Sequence, residues 1–208
     1  MFSLDKIITS RRSIRKYKSE KPSWHLIEDM LKSATSAPSP SNKQPVRFID
    51  IKSKAIRSEL YQEMLKGKDT FLERLEKSGG NKKIKNRINA YFRFSEFMFN
   101  APYLFAVGVE SFESLSDILL KANILTSDKK QNTDLDISTG LSLKAFLLKG
   151  AETGIGTCVL TAPLVYIENA SKIINKEIRI NCFVTAGFPD EKPKPILKKT
   201  VSDIYMEI

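Results

Sequence analysis

The apolar run from Pro102 to Val109 constrains the fold of this chain more than any other segment. Its central residues, Tyr103 to Val107, are apolar without alternation. A strand with one solvent-exposed face alternates apolar and polar side chains, whereas a continuous apolar run is typical of a strand covered on both faces. The run therefore predicts a buried strand around which the rest of the chain has to pack.

The remaining segments alternate between strand and helix patterns. Strands are also predicted at residues 46–51, 154–161 and 178–186. Helices are predicted at residues 22–37, 54–64, 81–99, 112–125, 135–151 and 163–175. Residues 67–80 and 126–134 are predicted as loops. Strands separated by helices, without a repeat or a linker, predict one mixed α/β or α+β domain over residues 1–208.

The predicted helix at 135–151 is apolar on nearly every side. A helix without a polar face has to be covered all round, either by its own core or by a second subunit.

Charge and composition narrow the classes of function. The formal net charge is +10, and residues 81–87 look superficially like a nucleic-acid-binding patch. The basic residues are nevertheless spread along the whole chain, without a helix-turn-helix or zinc-finger spacing. A solvated basic surface that attracts anionic small molecules is favoured over nucleic-acid binding. No apolar run reaches 18 residues and no charged leader precedes one, so we expect a cytoplasmic protein without a membrane segment.

The sequence lacks the motifs on which most types of side-chain catalysis and nucleotide binding depend. No phosphate-binding P-loop is present, and Gly154 and Gly156 lack the third glycine of a dinucleotide fingerprint, which favours a helix end and turn. His25 is the one histidine, so a histidine metal site is excluded and a catalytic triad is not favoured. Cys158 and Cys182 are predicted to be buried small hydrophobes. We therefore expect a cofactor to carry the chemistry.

Residues 11–17, Arg-Arg-Ser-Ile-Arg-Lys-Tyr, place four cations and a serine hydroxyl close together. Arginine presents a planar fork of donors matched to phosphate oxygens, and serine adds a short hydrogen bond. Such a segment can hold a phosphate dianion, although a basic heptad is also typical of a solvated surface.

Four segments in this order are similar to the nitroreductase family of FMN-dependent oxidoreductases. They are residues 11–17 followed by a helix, residues 37–45 leading into a strand, residues 150–158 at the end of an apolar helix, and residues 186–189 followed by a basic tail. The resemblance spans almost the full chain. It implies an α+β fold, a three-layer α/β/α sandwich with a central, mostly antiparallel sheet, in a homodimer with FMN at the subunit interface. Residues 189–208 would form a tail packed on the partner subunit.

The resemblance also implies a set of cofactor-binding residues. These are Arg11, Arg12, Ser13, Arg15, Pro38, Ser39, Pro40, Asn42, Leu160, Thr161, Ala162, Lys198 and Lys199.

The resemblance implies that different residues of this set contact different parts of FMN. Arg11 and Ser13 would hold the phosphate, with Lys198 or Lys199 adding charge, while Arg12 either contacts the cofactor or faces solvent. Arg15 would lie near the pyrimidine edge, where a cation stabilises the negative charge that reduction places at N1 and O2.

The other two segments are implied to approach the ring. The Pro38–Asn42 segment would come from the partner subunit, although by its residues alone it is equally a loop that ends a helix. The backbone near Leu160, Thr161 and Ala162 would approach N5. Residues 92–97 are largely aromatic where family members often carry a polar flavin contact, and their phenylalanines are predicted to pack in the core.

The activity implied is hydride transfer from NAD(P)H through FMN to a nitroaromatic, a quinone or a similar electron-poor acceptor, in a ping-pong cycle without a catalytic side chain. The same scaffold also serves dehalogenation, flavin fragmentation and ring oxidation, and a non-catalytic flavin-storage protein is a further alternative. The choice between NADH and NADPH and the physiological acceptor stay open at this point.

Overall fold

The computed structural model describes residues 3–126 and 133–208 of the chain. Within these residues one antiparallel sheet is formed, with strand order β1-β2-β4-β3. The strands are β1 (Val46–Asp50), β2 (Tyr103–Val109), β3 (Gly156–Leu160) and β4 (Arg179–Gly187). The buried strand predicted from the apolar run is therefore β2, which lies inside the sheet between β1 and β4.

The helices of the described residues follow in chain order. They are α1 (Leu4–Ser10), α2 (Trp24–Thr35), α3 (Lys54–Lys77), α4 (Lys82–Glu96), α5 (Leu115–Lys121), α6 (Thr133–Glu152), α7 (Pro163–Tyr166) and α8 (Ala170–Ile174). Single 3-10 turns are formed at Pro40–Asn42, Phe97–Asn100 and Val201–Asp203. No helix in the described part of the chain is long and apolar enough to cross a membrane.

Alternate side chains of β2 belong to two separate cores, one on each face of the sheet. Leu104 and Ala106 pack with residues of α3, α4, α7 and α8. Phe105 and Val107 pack with residues of α2 and α6. Because successive strand residues point to opposite faces, a fully apolar strand requires both layers. The predicted α/β/α sandwich with an antiparallel central sheet is confirmed.

Several predicted element boundaries are wrong. The predicted loop at 67–80 is largely helix, because α3 continues to Lys77. Gly67 lies inside this helix for a steric reason: a Cβ there would approach the Tyr166 carbonyl oxygen to 2.1 Å. The glycine thus permits close packing and does not end the helix.

Three other helix predictions and one loop prediction also need correction. The helix predicted at 22–37 begins only at Trp24, with Ser23 at its N-cap. The one predicted at 112–125 is reduced to α5, and the one predicted at 163–175 is divided into α7 and α8. At the end of the predicted loop 126–134, Thr133 opens α6, while residues 127–132 lie outside the described residues.

The predictions for single residues have mixed outcomes. Gly154 adopts φ +77° just after α6, as expected at a helix end, and both cysteines are buried and free. Phe92 is buried, but the core-packing prediction is wrong for Phe94, whose side chain is 64% exposed. In α6 the outward Ile137 and Leu141 are exposed, so the chain's own core does not cover the whole helix.

Candidate cofactor site

The segment after α1 is attached to one end of the sheet by backbone hydrogen bonds. The amide of Ile14 donates to the Thr157 carbonyl at 2.9 Å, next to a β-bridge between Ser13 and Thr157. Further on, the amide of Lys18 donates to the Phe188 carbonyl at 2.9 Å. These bonds join the basic segment to β3 and to the residue that follows β4, and so fix where the side chains of residues 11–15 can lie.

Gly156 makes the close approach of this segment possible. A Cβ on Gly156 would lie 2.7 Å from Ile14 Cγ1 and 2.9 Å from Ile14 Cβ, closer than packed carbon atoms allow. Ile14 itself is buried. The glycine is therefore a requirement for seating the segment against β3, which the sequence analysis interpreted only as part of a turn.

Tyr17 holds the same segment from the side of β4. Its hydroxyl donates to the Ile14 carbonyl at 2.7 Å and shares a 2.7 Å hydrogen bond with Thr185 Oγ1. Thr185 is completely buried in β4. Burial raises the pKa of Tyr17 far above its ordinary value, so the phenol stays protonated and its hydrogen bonds persist at neutral pH.

Three side chains of the basic motif converge on the start of β3. Burial raises the pKa of the Cys158 thiol, whereas the Arg15 charge, a hydrogen bond with Ser13 and the Arg11 charge all lower it. In an extended segment side chains two residues apart point to the same side, so Arg11, Ser13 and Arg15 share the side on which Ser13 bridges Thr157. The structure places Arg11, Ser13 and Arg15 in the segment attached to β3, and their binding of a phosphate stays a prediction.

Arg12 is half-buried and anchored to its own backbone neighbourhood. Its Nη1 donates to the carbonyls of Thr9 at 2.6 Å and Arg11 at 2.8 Å, which satisfies acceptors at the end of α1. Its Nε is buried and has no hydrogen-bond partner in residues 3–126 and 133–208. In the same residues the Arg11 guanidinium has neither an ion pair nor a side-chain hydrogen bond. Donors without acceptors thus accompany Ser13 at this site.

The first residues of the tail also contact the motif. The Glu191 carboxylate accepts hydrogen bonds from the backbone amides of Arg15 and Lys16, the latter at 3.1 Å. The Asp190 amide donates to the Lys16 carbonyl at 2.9 Å. Sequence reasoning missed Glu191, because one carboxylate among the lysines of the tail carries no recognisable signal.

Leu160, Thr161 and Ala162 lie at the far end of β3. Leu160 is the last residue of the strand and is buried, Thr161 is exposed, and Ala162 is the N-cap of α7. Three residues separate Leu160 from Thr157, about 10 Å along an extended strand. The basic motif and this backbone therefore lie at opposite ends of the same short strand.

The Pro38–Asn42 segment lies elsewhere in the chain. It precedes β1, the opposite edge of the sheet from β3, and Val46 at the start of β1 pairs with Val109 at the end of the sheet far from Thr157. At about 4.8 Å between strands and about 3.4 Å per residue, Val46 and Thr157, the residue that Ser13 bridges, are about 25 Å apart. One chain does not bring this loop to the basic motif.

The loop itself has an unusual backbone. Ser41, Asn42 and Gln44 all adopt positive φ, between 48° and 52°, a region that residues other than glycine seldom occupy. The Ser39 hydroxyl accepts a hydrogen bond from the Gln44 amide at 2.9 Å, and Gln44 Nε2 donates to Asn42 Oδ1 at 3.1 Å. Such conformations persist where the surroundings fix them, often at functional sites.

Lys198 and Lys199 lie in the exposed tail. In the described part of the chain neither side chain forms a hydrogen bond or an ion pair. Their contact with the phosphate of FMN therefore stays a prediction.

The fold defines a three-layer α+β class, and comparison with known proteins defines the family. The sequence profile of the nitroreductase family matches residues 8–188, so the chain belongs to the nitroreductase family. An iodotyrosine deiodinase of Thermotoga neapolitana is 25% identical over 187 residues, which cover 89% of this chain and 87% of that protein.

Solved structures show the same fold. A BluB-like flavoprotein from Clostridium difficile 630 superposes with a TM-score of 0.84 at 23% identity and covers 100% of both chains. A nitroreductase with bound FMN from Desulfitobacterium hafniense DCB-2 has a TM-score of 0.68 at 22% identity, covering 100% of this chain and 99% of that one.

Proposed function

We propose that this chain binds FMN and transfers a hydride from NAD(P)H to a nitroaromatic, a quinone or another electron-poor acceptor. The observation that carries the proposal is the group formed by Arg11, Arg12 and Ser13, where buried or half-buried donors lack acceptors within the described residues. A phosphate monoester supplies several strong acceptor oxygens, and arginine binds such oxygens through paired donors. The donor set therefore fits the phosphate of FMN.

When bound, FMN supplies the redox chemistry by accepting and donating a hydride equivalent. Arg11 and Ser13 bind the phosphate, and the Arg12 Nε has its hydrogen available to the same group. Arg15, exposed and without an ion pair in residues 3–126 and 133–208, places a fixed cation beside the pyrimidine edge. That charge favours the reduced, anionic form of the ring.

We further propose that two chains complete the site, with the Pro38–Asn42 loop of one chain reaching the basic motif of the other. The separation of about 25 Å within one chain supports this arrangement. So do the apolar side chains left exposed on α6 and in the tail, among them Ile137, Leu141 and Leu197. Lys198 or Lys199 would reach the phosphate once the tail is packed.

The test is an absorption spectrum of the purified protein before and after anaerobic addition of NADPH or NADH. We expect a flavin spectrum that bleaches with the donor and returns with a quinone. Replacing Arg11 and Ser13 with alanine removes two charge-assisted contacts of about 1.5–3 kcal/mol each, so FMN affinity should fall about 100-fold or more. The control Arg87→Ala removes an exposed cation on α4 and should leave affinity unchanged. Unchanged FMN retention in the double variant would refute the proposal.

Reductive dehalogenation is the second candidate, favoured by the similarity to the deiodinase of Thermotoga neapolitana over 87% of that protein's length. Iodide release from 3-iodotyrosine by the reduced protein, compared with nitroaromatic and quinone reduction under the same conditions, separates the two. Faster reoxidation by the iodinated substrate would establish dehalogenation. Bound flavin that NAD(P)H fails to reduce would instead indicate storage.

A further inference from the structure

A second concave site adjoins the Tyr17 end of the basic motif, where the Tyr17 ring centre lies 6.5 Å from that of the lining residue Phe97. It is a cleft of about 1030 Å³ beside the ends of β1 and β2, between the start of α3 and the end of α4. None of the proposed FMN-binding residues lines it. Its charged lining consists of Lys21, Lys52, Lys54, Arg57, Arg93 and Glu96.

Two cations of this cleft, Arg57 and Lys21, are held in place by contacts with the fold. Arg57 donates from Nε to the Ile51 carbonyl at 2.7 Å and from Nη1 to the Ala101 carbonyl at 2.7 Å. Lys21 Nζ lies 4.2 Å from the centre of the Tyr103 ring. Contacts of this kind reduce the side-chain freedom that a bound anion would otherwise have to remove.

The local charge strongly favours an anion. Glu96 is the one carboxylate of the lining, against five cations. Asp50, behind this wall, lies 3.8 Å from Lys52 and faces Lys21 and Arg57 as well, and burial raises the pKa of its carboxyl. Even with both carboxylates ionised the cleft keeps a net positive charge, and a concave surface concentrates that potential.

Aromatic side chains form the apolar part of the cleft. Tyr61, Phe97 and Phe99 line it, and Tyr61 and Phe99 pack edge to face with ring centres 5.3 Å apart. Ligand sites of this kind combine an apolar wall with a few fixed polar groups and reach volumes of about 1,000 Å³. Aromatic rings beside several cations suit a ligand that joins a flat ring to more than one phosphate.

We propose that this cleft binds a nucleoside diphosphate, with its base against the aromatic wall and its phosphates among Lys52, Lys54 and Arg93. The site is separate from the proposed FMN site, and the proposal does not depend on FMN binding. Arg57 positions the wall of the cleft through its bonds to backbone carbonyls.

The test uses the purified protein as isolated and ADP as the probe, with binding measured by equilibrium dialysis. The variant Lys54→Gln/Arg93→Gln should bind ADP about tenfold more weakly or worse, since it loses two charge-assisted contacts. The matched control Lys82→Gln/Lys83→Gln lowers the net charge equally at the start of α4, outside the cleft, and should bind as the parent does. Adenosine and pyrophosphate, tested separately, should each bind at least about tenfold more weakly than ADP.

The position of bound ADP can be tested by the fluorescence of Trp24, the one tryptophan of the chain. Lys52 Nζ lies 5.7 Å from the Trp24 ring centre, so a phosphate that draws Lys52 away should change the emission saturably with ADP. Equal weakening in both variant pairs, or pyrophosphate binding as tightly as ADP, overturns the proposal. Release of bound flavin in step with ADP uptake would overturn it too, because it would place ADP in the other site.

Discussion

Replacing Tyr17 with phenylalanine is the sharpest test of how the basic motif is held. The substitution keeps the ring and removes one oxygen atom. That oxygen donates to the Ile14 carbonyl and shares a hydrogen bond with Thr185, each at 2.7 Å. Both partners are left without Tyr17, and Thr185 is completely buried, so water cannot replace the lost bond there.

The expected loss of stability follows from those two bonds. A buried polar group that loses its partner costs about 1–3 kcal/mol, whereas an average exposed hydrogen bond costs less. The loss of the hydrogen bond to buried Thr185 should cost more than the loss of the bond to Ile14. Together we expect the two losses to lower the free energy of unfolding by about 2–3 kcal/mol. For a chain of this size that corresponds to a Tm decrease of about 4–12 °C. FMN affinity should fall as well, because Ile14 and its neighbour Ser13 keep their contacts with Thr157 but lose the one that Tyr17 supplies.

Urea unfolding followed by far-ultraviolet circular dichroism measures the first effect, and flavin fluorescence on titration with FMN measures the second. Tyr91→Phe is the matched control, since Tyr91 is 58% exposed and its hydroxyl forms no hydrogen bond in the described part of the chain. An unfolding curve for Tyr17→Phe that coincides with that of Tyr91→Phe would refute the assigned role of the phenol.

Three further predictions concern steric and ionisable groups. Gly156→Ala puts a methyl group against Ile14, so we expect the free energy of unfolding to fall by about 1–3 kcal/mol and FMN to bind more weakly. Gly140→Ala, with open space around it within the chain, should not lower the free energy of unfolding. Burial raises the pKa of Asp50 in the folded state. The stability that the protonated carboxyl contributes is therefore present below its unfolded-state pKa of about 4 and is lost as pH rises through the higher folded-state pKa. Asp50→Asn should therefore be more stable than the parent near pH 7 in urea unfolding, and a difference that persists in acid would contradict this. Burial also raises the pKa of Cys182 to about 12. Between about pH 8 and 10 the free energy of unfolding of the parent should therefore fall by about 1.4 kcal/mol more than that of Cys182→Ala. Curves of unfolding free energy against pH that run parallel for the two proteins would contradict this prediction.

The layered fold could be predicted because the sequence records burial on both faces of β2. Tyr103 to Val107 are apolar at every position, and the structure divides them between two cores. Element ends were predicted less well, because they depend on contacts between distant residues. Gly67 illustrates this: the sequence shows a glycine where a loop is plausible, but the reason for it is the Tyr166 carbonyl about a hundred residues later.

The same distinction between local and long-range contacts decides which residues of the candidate site could be predicted from the sequence. Arg11, Ser13 and Arg15 could be identified because they are neighbours in the sequence, and one extended segment brings them together. The roles of Tyr17, Thr185 and Glu191 could not, since each depends on a partner at least 168 residues away. Phe94 was predicted to be buried among aromatic neighbours, but its position on α4 turns it outward while Phe92 packs inward.

The sheet order has a consequence for how cofactor binding and assembly are linked. The basic motif is attached beside β3 and the strained Pro38–Asn42 loop precedes β1, and these are the two edges of one sheet. A single chain keeps these two edges apart, whereas in the dimer proposed above the Pro38–Asn42 loop of one copy would reach the basic motif of the other. If both segments contact one FMN molecule, binding stabilises the dimer and dimerisation strengthens binding by the same free energy. The exposed apolar residues on α6 and in the tail would then affect FMN binding indirectly. They would determine the affinity of the dimer, and so the protein concentration above which both chains are present at the site.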